Sequence, residues 1–258
     1  MLLYHYTSVE KFRHIWKSKT LRFAPADTTN DFFERFKTFV LTQDTFMCDG
    51  RPLDRNRFDN FDEKIRAELG KYRQVSFSYD YEDGLKGYAS PMMWGQYAWH
   101  KNGEEWQNGV CIAIDSNKIK APILAHSDKV HYTFTFESPI VKNIDYTKED
   151  AAALFVERNM ETYFFTKHKH WEPENEYRFI CKQDGFLDIS EAIIGVYTLF
   201  DNNTPLEEIE DIVKDSSFIR LLALNDFKSQ TEPYSLKEIH DLQEMMNNFN
   251  MGNASESK

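Results

Sequence analysis

Strand-like runs separated by intervals of unequal length constrain this chain more than any other feature. Gln74 to Tyr79 alternates, setting Val75, Phe77 and Tyr79 against Gln74, Ser76 and Ser78. Gly109 to Asp115 is an apolar run between turn residues, and Lys129 to Phe136, Glu174 to Lys182, Ala192 to Leu199 and Phe218 to Leu224 carry further strand patterns. Helix signals fall among them without a regular βαβ beat. The pattern predicts an α+β fold with a mixed or antiparallel, split sheet flanked by helices, and it disfavours a doubly wound parallel sheet.

The helix signals are local chemistry. Thr7 with Glu10 fits a capping box for a helix over Ser8 to Lys17, with short strands at Leu2 to Tyr6 and Thr20 to Ala24 on either side. Asn30 or Asp31 is placed to cap a helix over Phe32 to Thr42, and Asp44 to Asn60 reads as a long loop leading to a charged helix at Phe61 to Tyr72. Ser90-Pro91 opens a helix to about His100, and Thr147 with Asp150 opens one to about Lys167. Thr204-Pro205 with Glu207, and Ser235 with Glu238, cap two more. Residues 1–250 are expected to form a single domain including the C-terminal helix, with 251–258 a disordered tail.

Composition limits what such a fold can bind. The 21 Phe, 13 Tyr and 5 Trp among 258 residues promise a large aromatic core. A net charge of -11 excludes a whole-surface grip on nucleic acid or anionic lipid. That charge is uneven, however: residues 1–75 carry a local +3 and the remainder -14, so an anionic ligand is better received by the first third. Cys48, Cys111 and Cys181 are odd in number and widely spaced, which suggests reduced thiols rather than disulfides or a zinc site. The N-terminus lacks a signal-peptide pattern, and no apolar run approaches the roughly 20 residues that span a bilayer. A cytoplasmic protein with no membrane partner is expected.

The most informative chemistry lies in His168-Lys-His-Trp-Glu-Pro-Glu174-Asn-Glu176-Tyr-Arg178-Phe-Ile-Cys181. Strand alternation from Glu174 puts Glu174, Glu176, Arg178 and Ile180 on one face and Asn175, Tyr177, Phe179 and Cys181 on an aromatic core face. Two carboxylates oriented by a guanidinium could do acid–base work or stabilise a developing cation. The plain alternative is a solvated strand face with ordinary ion pairs. His168-x-His170 invites a metal reading, but Pro173 interrupts any third ligand from Glu172 or Glu174, and no metal site is expected. His5 and Thr7 share one face of the first strand, just before a helix N-terminus, where polar and anionic ligand groups are favoured. Trp94, Tyr97, Trp99 and His100 form an aromatic helix, with core packing the default and ring stacking on a flat ligand the sharper alternative. No Rossmann turn, P-loop, nucleophile elbow or zincin motif is present.

Taken in order, Tyr4-His5-Tyr6-Thr7-Ser8, Leu21-Arg-Phe23, Asn30-Asp31-Phe-Phe33-Glu34, Val75-Ser76-Phe77-Ser78, Met93-Trp94-Gly-Gln-Tyr97-Ala98, Gly109-Val110-Cys111 and Lys167 through Trp171-x-x-Glu174-x-Glu176-Tyr177-Arg178 resemble the bacterial family known as domain of unknown function 2971. Phe32 stands where that family usually has proline. The aromatic-His-x-Thr opening, the helix directly after it and the late Glu-x-Glu also resemble the ADP-ribosyltransferase superfamily. That resemblance implies NAD as substrate, with His5 holding the adenosine ribose, Tyr6, Thr7, Trp94, Tyr97 and Arg178 completing the ligand site, and Glu176, assisted by Glu174, as the catalytic carboxylate. Phe23 stands where the superfamily places Tyr or Ser, so Tyr6, Tyr88 or Tyr97 would have to substitute.

The function so implied is NAD binding with transfer of ADP-ribose to a nucleic-acid or protein acceptor, or NAD hydrolysis, as in a toxin or phage-defence effector. The first alternative is a non-catalytic domain that senses a nucleotide or mediates an interaction. A metal-dependent nuclease built on Glu172, Glu174, Glu176 and Lys167 is a third.

Overall fold

The computed structural model describes residues 1–26, 40–41, 47–48, 51–52, 55–122, 125–135, 138–141, 148–223 and 233–241. It is a mixed α+β structure whose main open sheet contains both antiparallel and parallel pairs. The chain divides into two compact units, Met1–Thr20 with Phe77–Ile119 and Asp188–Lys258, and Leu21–Ser76 with Lys120–Leu187.

In the first unit, Leu2–Thr7 pairs antiparallel with Val110–Asp115, in a register that sets His5 opposite Ile112 and Tyr6 opposite Cys111. Val110–Asp115 pairs antiparallel with Ile193–Leu199, which runs parallel to Ile219–Leu222. A parallel pair requires a crossover, and the helix Leu206–Val213 supplies it. Gly109 is required where it stands: a Cβ there would collide with the carbonyl oxygen of Thr7 and lie 2.9 Å from that of Ala98. The first helix, Val9–Ser18, is capped by Ser8, whose hydroxyl accepts from the Lys11 N–H at 3.3 Å, rather than by Thr7. Thr7 is instead the last residue of the strand, and it is buried. Lys19 closes the helix in the left-handed conformation, φ 55°.

The helix opened by Ser90-Pro91 starts as expected, with Ser90 Oγ accepting from Met93 N–H, and continues as a π-turn over Trp94–Ala98, but it ends there: Trp99 is extended and His100 begins a short strand, His100–Asn102, paired with Glu105–Gln107. The capping box at Ser235 and Glu238 also forms: the carboxylate accepts from the Ser235 N–H at 2.6 Å.

In the second unit, the helices Arg55–Leu69, Ala151–Arg158 and Met160–Phe164 bury Phe61, Ile65, Phe155, Val156 and Phe164, with Ile180 from the strand Glu176–Cys181. The single helix expected up to Lys167 is therefore two short helices. Asn159, at φ -116° and ψ 25°, breaks it, and its side-chain amide donates to the Phe155 carbonyl at 2.7 Å. The chain then turns into a short strand, Thr166–His168, parallel to His131–Thr133. The charged helix starts at Arg55, not Phe61, and Val40–Leu41, within the expected Phe32 helix, is a strand paired with Ile140–Val141. The rest of the expected Phe32 helix, its caps, Thr147 and residues 251–258 lie outside the described residues. Among the described residues, no helix is long and apolar enough to cross a membrane.

Candidate functional site: a buried ion cluster

The strand expected from Glu174 begins at Glu176 instead. A tight helical turn over Lys169–Glu174 ends at Asn175, whose left-handed backbone (φ 45°) reverses the chain before Glu176–Cys181 pairs with His126–Lys129. Glu174 is thus a turn residue, and alternation along a strand does not set its direction. Both faces of the strand are interior: Phe179 and Cys181 are buried as expected, Glu176, Arg178 and Ile180 are buried on the face expected to be polar, and Tyr177 is only half-buried. A solvated face with surface ion pairs is excluded, because Lys167, Glu174, Glu176 and Arg178 are all 5% exposed or less.

These four side chains neutralise one another. Arg178 donates through Nε to Glu176 Oε1 at 2.5 Å and through Nη2 to Oε2 at 2.8 Å, a two-point fork that fixes the carboxylate plane. Its Nη1 donates to the Phe164 carbonyl at 2.8 Å. Lys167 Nζ donates to Glu174 Oε2 and, at 3.1 Å, to Glu176 Oε2, and lies 5.1 Å from the centre of the Trp171 ring. Ser76 adds a hydroxyl bond to Glu176. Burial alone would push the Glu176 carboxyl up; the charges of Arg178 and Lys167 outweigh it and bring it from 4.5 to about 2. Tyr132, opposite Lys167 in the parallel pair, accepts from the Glu176 N–H at 2.9 Å, and its own phenol is pushed up by burial and by the Glu176 charge.

Tyr132 and Ser76 were not among the candidate site residues, and Lys167 entered only with the nuclease alternative, although each lies in a recognisable pattern. Lys167 stands seven residues before Glu174 in sequence, but its direction depends on the helix break at Asn159. Tyr132 lies in the alternating Lys129 run, and Ser76 on the polar face of the Gln74 strand. Periodicity shows which residues share a strand face; it does not show which strands meet.

The remaining candidates lie in the first unit. His5 is half-buried, with its ring edge toward Phe77 at 5.7 Å. Tyr6 and Trp94 are buried against each other, edge to face at 5.3 Å. The polar atoms of both are occupied: Tyr6 Oη donates to the Gly87 carbonyl at 2.5 Å, and Trp94 Nε1 to that of Tyr88 at 2.8 Å. Tyr97 is half-buried beside them. Tyr88 stacks on Tyr197 at 4.3 Å and 9°, with Tyr4 edge-on to both. Phe23, at the position where the transferase resemblance wants Tyr or Ser, is buried.

His168 and His170 pack ring to ring at 4.5 Å, and His168 Nδ1 accepts from the His170 N–H at 3.3 Å. Among the described residues, no group of three or more His, Cys, Asp or Glu side chains is arranged to hold a metal ion. Cys111 and Cys181 are free, buried thiols.

Comparison with known proteins bears out the first of the two resemblances. The model of the family described as protein of unknown function (DUF2971) matches residues 93–179, a stretch that includes Trp94, Tyr97 and the whole Lys167, Glu174, Glu176 and Arg178 cluster. No curated protein and no solved structure matches the chain.

Proposed function

We propose that the chain is an ADP-ribosyltransferase-like protein that binds NAD, or a related nucleotide, without turning it over. The ligand assignment comes from the likeness of its opening strand and late Glu-x-Glu to that superfamily. The judgement against turnover rests on one observation: Glu176 is ionised but fully offset. Stabilising an oxocarbenium-like centre as nicotinamide departs needs a carboxylate whose negative charge is unspent at the reacting carbon. Here two cations balance two carboxylates, and both Glu176 oxygens are occupied.

Transfer of ADP-ribose to a macromolecule, or hydrolysis of NAD, is the second reading, and a specific feature favours it. Glu176 is held ionised and rigid by the Arg178 fork, and its Lys167 contact, at 3.1 Å, is longer than either bond of that fork. Exchanging that one contact for a ribose hydroxyl would leave the carboxylate oriented. Toxin or phage-defence roles belong to this reading.

Calorimetric titration with NAD, run beside an assay for released nicotinamide with and without nucleic-acid and protein acceptors, separates the two. The proposal expects NAD binding with no release above background. Release that disappears in Glu176→Gln, with that variant still folded, would establish the transferase instead. Absence of binding by NAD and by other adenine nucleotides would remove both.

A further inference from the structure

The dipeptide Asn-Gly occurs twice in this chain, at Asn102-Gly103 and at Asn108-Gly109, and the fold treats the two in opposite ways. Asparagine is thermolabile, and a following glycine exposes it most, because no Cβ shields the glycine nitrogen from the asparagine side chain. Once that nitrogen gives its proton to water, it can attack the asparagine Cγ, forming a C–N bond and expelling ammonia. The product is a five-membered succinimide. Water then opens the ring at one of its two carbonyls, giving aspartate or isoaspartate, so the balance is one water consumed and one ammonia released.

Asn108 is withheld from this reaction. It is 3% exposed, and its side-chain amide donates to Asp201 Oδ1 at 2.6 Å and to Thr204 Oγ1 at 3.2 Å. The attacking atom is engaged as well, since the Gly109 N–H donates to the Ala98 carbonyl at 2.9 Å. Ring closure there requires breaking these bonds, one of them to an ionised carboxylate.

Asn102 has no such restraint. With Gly103 it stands at the tip of the hairpin formed by His100–Asn102 and Glu105–Gln107, and both residues are exposed. Gly103 makes the turn at φ 63°, and among the described residues its N–H has no hydrogen-bond partner. Nothing lies within 4 Å of where a Cβ would stand on it. The Asn102 side-chain amide donates only to Gln107 Oε1, at 3.1 Å, an exposed neutral pair that competes with water.

We propose that Asn102 is a site of spontaneous, succinimide-mediated deamidation, from which the fold protects Asn108. Conversion places a negative charge opposite Glu105 in the hairpin register, and like charges directly opposite weaken a strand pair. A two-stranded hairpin is marginal by itself, so the modified hairpin opens more readily.

The test is incubation of the full chain at mildly alkaline pH, in buffer and in urea, followed by mass-spectrometric sequencing of the tryptic peptide 102–118, which carries both asparagines. In buffer, Asn102 should convert at least about tenfold faster than Asn108; tenfold corresponds to about 1.4 kcal/mol, less than one hydrogen bond to a charged group contributes. In urea the two should convert at similar rates. Isoaspartate should be among the products, and the rate should rise with pH, because the attacking nitrogen is deprotonated. In Asn102→Gln, whose longer side chain would have to close a six-membered ring, conversion at this position should be lost. Equal rates in buffer, or an Asn102 that converts only in urea, would overturn the proposal. So would a failure of both sites to convert in urea, and aspartate formed without isoaspartate would overturn the succinimide route. The converted chain should also exchange the amide hydrogens of residues 100–107 faster than the unconverted one, and equal exchange would overturn the opening.

Discussion

The second unit buries ions beside its hydroxyls and thiol, whereas among the described residues every polar group buried in the first is neutral. Around Glu176, two carboxylates, a guanidinium and an ammonium lie together in the interior, each held by another's charge. Around Tyr6, the interior polar groups are Tyr4, Tyr6, Ser78, Cys111 and Thr198, and burial drives the Tyr6 phenol and the Cys111 thiol well above their ordinary values. Those groups therefore stay neutral throughout the working pH range. The difference concerns tolerance. A neutral hydroxyl can lose its partner at modest cost, but a buried charge that loses its partner leaves an uncompensated ion.

The largest expected effect follows from that asymmetry. Glu176→Gln keeps the shape of the side chain and removes its charge, leaving Arg178 without its fork and Lys167 with Glu174 alone. A stability loss of about 3–5 kcal/mol is expected, the range seen when one partner of a buried pair is removed. Urea unfolding followed by circular dichroism measures it. A loss below about 1 kcal/mol, the scale of an exposed pair, would mean that water reaches the cluster and that the contrast between the units is false.

Acid sharpens the same comparison. The folded Glu176 carboxyl lies at about 2 against an ordinary 4.5, a depressed value. Its stabilising contribution is therefore present in full above 4.5 and is lost as pH falls from 4.5 toward 2. Within that window the wild-type unfolding free energy should fall more steeply with pH than that of Glu176→Gln, by up to about 1.4 kcal/mol per pH unit for one proton. Glu68 is also held low, because its bonds to Lys182 and Lys71 outweigh burial. It contributes equally to both chains, so the difference in slope belongs to Glu176. Parallel slopes would show that the Arg178 and Lys167 charges do not outweigh burial.

What was legible from sequence divides along similar lines. The Gln74 alternation, the Gly109 run, the Ser90-Pro91 start and the Ser235/Glu238 box all formed, because each is decided by residues within one turn or one strand. The Glu-x-Glu segment, singled out for its residue types, was misplaced on its strand. The left-handed turn at Asn175 and the helix break at Asn159 depend on what surrounds them, and together they determine that Glu174 and Lys167 meet. No spacing rule for a strand could have paired a lysine with a glutamate across a helical turn containing Pro173.

The smallest effect probes the neutral interior. Ser78 is fully buried opposite Tyr4, and among the described residues its hydroxyl has no hydrogen-bond partner. Ser78→Ala deletes a desolvated polar atom and leaves a void no larger than one oxygen. Stability should therefore hold or rise, by up to about 1 kcal/mol, since an unpaired buried hydroxyl contributes nothing to offset its desolvation. Equilibrium unfolding of the two chains side by side measures this. A fall of more than about 1 kcal/mol would show that the hydroxyl is satisfied in solution. In that case the first unit, like the second, would hold its polar interior together by specific pairing, and the tolerance attributed to its neutral groups would not extend to Ser78.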